Sequence, residues 1–242
     1  MNGTTASRMD AQPIDPAILY FGTPVVLIGT RNENDTPNLA PMSSAWWLGW
    51  GCMLGLNASS RTVENLRRTG ECVLNLPSAE LAASVDRIAL TTGSNPVPAN
   101  KLALGFRHVA DKFGLAGLSP LPGDAVNAPR ALECPVQMEA RVEQIVPFGA
   151  RNPKVRTPML AVEVKVVCVH AHPSILVDGN PNRIDPDKWK PLIMSFREFY
   201  GLTGRVHQSR LAAFPEDRYR PPARPYAASP APIPSQAAEI DR

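Results

Sequence analysis

The chain has 242 residues, 44% of them hydrophobic and 19% charged, which is enough apolar material for one large core or two small ones and excludes disorder of the whole. With 25 Lys and Arg against 22 Asp and Glu the formal net charge is +3, too small an excess to grip a phosphodiester backbone, so no nucleic-acid partner is expected. Its 26 prolines, roughly double the usual share, are excluded from helix interiors and central strands and argue against a helical bundle.

Residues 1–15 read as a flexible N-terminus; Met1 to Gln12 is polar, without the apolar run of a signal peptide. Nowhere does an apolar stretch of about eighteen residues occur, so no membrane partner is expected and a cytoplasmic address is the default. Pro24-Val25-Val26-Leu27-Ile28-Gly29-Thr30 is apolar and β-branched, and Asn32-Glu33-Asn34-Asp35 behind it is rich in turn formers, which predicts a buried strand and a tight connection. Asn38 to Trp50 resumes extended character, and Gly51-Cys52-Met53-Leu54-Gly55-Leu56-Asn57 is another apolar run. Three strands in succession suggest an antiparallel meander. The period then changes: Val63, Leu66 and Gly70 fall on one helical face behind Ser59-Ser60, so a short helix begins near Arg61. Glu71 to Leu76 returns to strand. Ser78 fits an N-cap for a helix with Leu81, Val85 and Ile88 on its buried stripe. Thr91 to Asn127 is rich in Gly and Pro, with one expected helix at Lys101 to Lys112 on which Arg107, His108 and Lys112 form a solvated face. Leu132 to Val146 and Met159 to His170 read as strands, the second strongly β-branched. Residues 219–242 carry six prolines and six alanines, too little large apolar surface to order themselves, and read as a tail beyond a domain at 16–218. The sum is a mainly β protein, a barrel decorated by a few peripheral helices.

The stretch Asn57-Ala58-Ser59-Ser60-Arg61-Thr62-Val63-Glu64-Asn65 carries the most chemistry. A strand end brings three hydroxyls, a guanidinium and the free N–H groups of a helix start into one small volume, which suits a phosphate monoester. The same residues also read as an ordinary Ser cap with an exposed arginine, since a cap and a phosphate site share one physics. Elsewhere the signals are weaker. Cys52, Cys72, Cys134 and Cys168 contain no C-x-x-C pair and read as reduced and mostly buried. His170-x-His172 places two imidazoles on one side of a strand without a third ligand in recognisable spacing, so no metal is expected. No nucleophile and base pair and no Walker or Rossmann glycine fingerprint can be assembled, and hydrolase and kinase chemistry fall away.

Taken in order, Thr23 to Thr30, Asn38-Leu39-Ala40-Pro41-Met42-Ser43-Ser44, Thr62-Val63-Glu64-Asn65-Leu66 and Gly70 to Leu76 resemble the flavin reductase-like family, flavoredoxins included. Ala128-Pro129-Arg130-Ala131-Leu132-Glu133-Cys134-Pro135, Ile184-Asp185-Pro186 and Phe199-Tyr200-Gly201 extend the likeness over roughly Pro16 to Arg220. The resemblance implies a Greek-key-like antiparallel split barrel that binds FMN and works as a homodimer with flavin near the subunit interface. It implies hydride transfer from NADH or NADPH to flavin, or, alternatively, an electron carrier or store without a nicotinamide site of its own. It further implies that Ala40, Pro41, Met42, Ser43 and Ser44 lie along the isoalloxazine, and that Asn57, Ala58, Ser59, Ser60, Arg61, Thr62 and Asn65 hold the ribityl phosphate. Two features depart from the simplest members of the family, the aromatic run Trp46-Trp47-Leu48-Gly49-Trp50 and the proline-rich tail. Trp46 and Trp50 share strand parity and Trp47 faces the other way, which would let one set line the cleft or dimer seam and the other the core, but the expectation is that all three simply fill core or interface.

Overall fold

The computed structural model describes residues 11–149, 151 and 158–219. The tail expected at 219–242 and the first ten residues of the expected flexible N-terminus lie outside the described residues, Tyr219 excepted. The frame is one seven-stranded antiparallel sheet built from β1 (Val26–Arg31), β2 (Pro37–Met42), β3 (Ala45–Leu48), β4 (Gly51–Asn57), β5 (Glu71–Leu76), β6 (Val136–Phe148) and β7 (Met159–Ala171). Its spatial order is β2-β1-β5-β6-β7-β4-β3. The two edge strands, β2 and β3, are consecutive in the chain and joined only by Ser43-Ser44. Edges joined by two residues lie side by side, so the sheet curls into a split barrel; the Gly55 N–H donates to the Ser44 carbonyl at 2.8 Å and carries the β3-β4 ladder one residue beyond Ala45. A Cβ on Gly55 would stand 3.0 Å from the Ser44 Cβ, so a side chain here would have to push Ser44 aside by a few tenths of an ångström.

This order corrects the expected meander. β1 pairs with β2 and β3 pairs with β4 as two hairpins, but they occupy opposite edges of the sheet, with β5, β6 and β7 between them. Alternation within a strand fixes which face is inward; it says nothing about which strands become neighbours.

Alternation also divides the core. Val26 and Ile28 of β1 face the barrel interior with Leu54, Leu74, Val162 and Val164. Val25 and Leu27 face outward onto a second cluster with Leu39, Val85, Ile88 and Phe113. Helix α1 (Arg61–Thr69) closes the first core with Val63 and Leu66. Ser60 caps it by accepting the Val63 N–H, and Gly70, at φ +67°, ends it in the left-handed conformation that an L side chain resists. The second core is covered by α2 (Ala82–Arg87), which follows a single 3-10 turn at Ala79–Leu81. Ser78 precedes that turn without a side-chain capping bond.

The single helix expected over Lys101 to Lys112 is replaced by three pieces. α3 (Ala99–Leu102) ends ahead of Gly105, whose φ of +81° reverses the chain. Arg107–His108 pairs in parallel with Thr91–Thr92, and α4 (Lys112–Ala116) starts behind Asp111, whose carboxylate accepts the Gly114 N–H at 2.8 Å. His108 is exposed as expected. Lys112 is not: it is 3% exposed, because α4 packs against β2. Strand β6 begins at Val136 rather than Leu132 because Ala131 to Cys134 form a turn ahead of Pro135.

Candidate functional site

A cavity of about 1410 Å³ opens between the seam of the barrel, the start of α1 and the segment from Ala89 to Lys112. Its floor is sheet. β2 and the Ser43-Ser44 link supply Ala40, Pro41, Met42, Ser43 and Ser44, β4 ends at Asn57, and β7 begins at Met159–Ala161. Ser60, Arg61 and Thr62 come from the start of α1. Nine of the twelve positions singled out in the sequence therefore line one space. The hydroxyls of Ser43, Ser44 and Thr62 have no hydrogen-bond partner among the described residues, although Thr62 is 3% exposed.

Ala58, Ser59 and Asn65 stand off the cavity wall. Ser59 turns back on its own strand end, its N–H and hydroxyl donating to the Asn57 carboxamide oxygen at 2.9 and 2.8 Å. Ala58 packs against the first core. Asn65 lies one helical turn too deep; it donates to the Thr30 hydroxyl and to the Asn32 carboxamide at 3.0 Å each, tying α1 to the end of β1. Its role here is to hold the helix in place.

Arg61 is positioned rather than loose. Its Nε donates to the Gly93 carbonyl at 3.3 Å and its Nη1 pairs with Glu64 at 2.7 Å, which leaves further N–H groups of the fork for a ligand. Gly93 makes this packing possible. A Cβ there would lie 2.7 Å from the Asn38 carboxamide oxygen and 3.1 to 3.2 Å from the stem of Arg61.

Two functional candidates are not visible in the sequence pattern, Lys101 and Lys112. Lys101 reaches the Thr92 hydroxyl at 3.5 Å. Lys112 is buried on the cavity wall with no hydrogen-bond or ion-pair partner among the described residues. Burial, with Lys101 nearby, pushes its ammonium down to about 8, and burial lowers Lys101 too, against the pull of Glu64. The sign that could have found Lys112 is Asp111, a helix N-cap three residues before Gly114 that turns a nominally solvated lysine inward. Arg61, Lys101 and Lys112 are the charged side chains among the described residues lining the cavity, and none of those residues is acidic. The space is set for an anion attached to a flat, largely apolar body.

Of the tryptophans, Trp46 lines the cavity at 57% exposure, Trp47 packs against the first core, and Trp50 lies on the surface. Trp47 alone of the three packs in a core; Trp46 and Trp50 are both exposed within this chain, and Trp50 does not follow Trp46 to the cavity because it lies in the turn after β3. Phe196 meets Phe21 edge-on at 4.9 Å, and Phe199 packs against the second core. The cysteines are all free. Burial pushes the Cys52 and Cys134 thiols up to about 12 and Cys72 higher still, so these three are inert as nucleophiles at neutral pH. No helix among the described residues is long and apolar enough to cross a membrane.

Known proteins match this arrangement. Flavoredoxin of Desulfovibrio vulgaris (Miyazaki F) superposes with a TM-score of 0.67 at 22% identity, covering 84% of this chain and 99% of its own. The 2-nitrobenzoate 2-nitroreductase NbaA of Pseudomonas fluorescens gives 0.62 at 17% identity, covering 80% and 87%. At that identity the likeness establishes the split-barrel fold. In sequence, the uncharacterized protein YdfE of Bacillus subtilis (strain 168) is 40% identical over 193 residues, 80% of this chain and 90% of its own length. The flavin reductase like domain matches residues 18–203, a span that contains every strand of the barrel and every charged side chain of the cavity wall. By fold and by sequence together, the chain belongs to the flavin reductase-like family.

Proposed function

We propose that this protein binds FMN in the cavity and transfers a hydride to it from a reduced nicotinamide, NADH or NADPH, as a homodimer. The observation that carries this reading is the cavity lining, in which three cations and three unpartnered hydroxyls share one space with no acid among the described lining residues. A flavin monophosphate has the matching chemistry, a dianion on a chain attached to a flat ring. Arg61, Thr62 and the N–H groups at the start of α1 would hold the phosphate, with Lys101 adding charge from across the cleft. Ser43 and Ser44 would offer hydroxyls along the ring edge, and Met42 and Trp46 would exclude water from its faces. Lys112, buried without a counter-ion, would steady negative charge that develops on the ring system. The flavin itself supplies the redox chemistry, accepting two electrons and a proton as hydride. A titratable catalytic residue is not needed, which agrees with the sequence offering none.

The dimer rests on the edges of the structure. Ile14, Leu19 and Phe21 near the N-terminus, and Val206, Leu211 and Phe214 near the other end of the described chain, are all more than half exposed. Phe148 on the cavity lining and Leu48 at the β3-β4 turn are likewise exposed, at 60% and 79%. Apolar surface of this extent is what a second copy covers. Sedimentation should give a dimer at micromolar concentration; a monomer there removes this part of the reading.

The test is spectroscopic. The protein purified without added cofactor, then mixed with FMN, should show a bound-flavin absorption spectrum, and NADH or NADPH should bleach it anaerobically on the timescale of turnover. Binding without bleaching would instead support an electron carrier like the flavoredoxins. A protein that stays colourless with FMN would overturn both.

A further inference from the structure

The end of β7 remote from the cavity holds a second cluster that the flavin reading does not use. Cys168 and His170 alternate onto one face of β7, and Glu139 of β6 is the cross-strand partner of Cys168. The Cys168 Sγ lies 3.5 Å from the His170 Nε2, and the Glu139 Oε1 lies 2.6 Å from the same nitrogen. The ligand atoms of all three residues fall within 4.8 Å of one another. Asp124 brings a second carboxylate oxygen to 3.9 Å from Nε2.

We propose that Glu139, Cys168 and His170 form a binding site for a thiophilic divalent cation of the zinc class, with Asp124 as a fourth ligand. The donor set of one thiolate, one imidazole and two carboxylates is the mixed soft and borderline set that such ions favour. Spacing agrees: two ligands of a tetrahedral zinc ion, one sulfur and one nitrogen, stand about 3.5 Å apart, which is the separation of Cys168 and His170. The second shell is already built. Glu139 is fully buried, and its carboxylate accepts N–H groups from Asp124 at 2.9 Å, Ala125 at 2.6 Å and Val126 at 2.9 Å. Those bonds fix the ligand as an anion facing His170. Burial pushes the Cys168 thiol up, and the negative charge of Glu139 and Asp124 pushes it further; that same negative field attracts a cation, whose coordination deprotonates the sulfur.

The ion would take the place of the hydrogen between His170 Nε2 and Glu139, with a neutral imidazole carrying its one proton on Nδ1 instead, and the thiol proton would leave to water. Opening the 2.6 Å contact needs a small outward swing of the imidazole, which its 22% side-chain exposure permits, and Asp124 at 66% is free to follow. Arg130, 3.5 Å from Asp124, offsets the negative charge that remains. Seven residues of strand separate Cys168 from Ala161 on the cavity floor, about 23 Å at extended spacing. The ion would therefore clamp the loop at 123–127 to the β6-β7 ribbon and take no part in flavin chemistry. The sequence pattern shows only His170-x-His172, because Glu139 lies 31 residues before His170. His172 in fact turns away, its Nδ1 lying 2.7 Å from the Ser174 hydroxyl.

The test is titration of the whole chain with cobalt(II) under anaerobic, non-thiol reducing conditions, read as difference spectra. Saturation at one equivalent with a sulfur-to-cobalt charge-transfer band is expected. Cys168→Ala and His170→Ala should each abolish the band and weaken binding by at least tenfold, with metal-free thermal melting showing that each variant is folded. His172→Ala should keep both band and affinity. No saturable band in the wild type, a band that survives Cys168→Ala, or one that disappears in His172→Ala would each overturn the site. Because none of these residues touches the cavity, FMN titration of the same samples separates this result from the fate of the flavin reading.

Discussion

The two ends of strand β7 carry opposite charge logic. Where it begins, at Met159–Ala161, it floors a cavity whose wall holds Arg61, Lys101 and Lys112 and no acid among the described residues. Toward its other end, at Cys168 and His170, it faces Glu139, an acid every bit as buried as Lys112 but held by three backbone N–H groups and an imidazole. Burying charge costs free energy unless partners replace the lost water. Glu139 has its replacements within the chain and is held in place whether or not an ion is bound. Lys112 has none among the described residues; its stem is buried while its ammonium opens on the cavity, where, in the function proposed, a ligand's negative charge would meet it.

The sharpest way to break this contrast is to remove the anion site. Arg61→Ala combined with Thr62→Ala should weaken FMN binding at least 100-fold, since charge-assisted hydrogen bonds contribute roughly 1.5 to 3 kcal/mol each; an unchanged Kd from flavin fluorescence quenching would refute the assignment. At the other end, Glu139→Gln should destabilise the fold by about 3 kcal/mol, because it leaves buried donors and His170 poorly matched. Urea unfolding at neutral pH measures it. Sign fixes its pH dependence. Burial alone would raise the Glu139 carboxyl, but the N–H of Asp124, His170 and the N–H groups of Ala125 and Val126 outweigh burial and hold it below its ordinary value. The wild type therefore owns this stability above the ordinary carboxylate range and loses it as pH falls through the lowered value. The gap between wild type and Glu139→Gln should close in acid.

Lys112→Met sharpens the comparison through effects of opposite direction. FMN affinity should fall about tenfold, while the flavin-free protein should melt at a higher temperature, because a buried charge without a partner is gone. A loss on both measures would show that Lys112 supports the fold and does not serve a ligand. The smallest effect is the titration of Lys112 itself. With its ammonium lowered to about 8, FMN affinity should decline several-fold as pH rises through that value. The stability of the flavin-free protein should rise between there and the ordinary lysine range, since the unfolded chain binds the extra proton over that window. A Kd that is flat across pH 7 to 9.5 would count against Lys112 as an anion contact.

Much of the frame was legible. Gly51–Asn57 and Glu71–Leu76 match the expected bounds to the residue, because each apolar run ends at turn formers or a helix cap. Helix α1 was placed by Ser60 and by the spacing of Val63 and Leu66. The segment from Thr91 to Asn127 was read poorly because its local signals conflict: Gly105 stops a helix that the apolar spacing would continue, and α4 is too short for periodicity to show. In the candidate site, Ser60, Arg61 and Thr62 were visible since capping chemistry is local. Asn65 looked like a member of that group and instead anchors α1 to Thr30, a contact that only folding creates.

The amino-acid pattern by itself determined the strands, the start of α1, the mainly β class and the family likeness, because each follows from propensity, alternation and order over a few residues. Tertiary structure alone decided which strands became neighbours, that β2 and β3 became the two edges of one curled sheet, that Lys112 lines a cavity, and that Glu139 meets Cys168 and His170. These are pairings between residues far apart in the chain. Their energies come from burial and from partners brought by folding, and no window along the sequence contains both members.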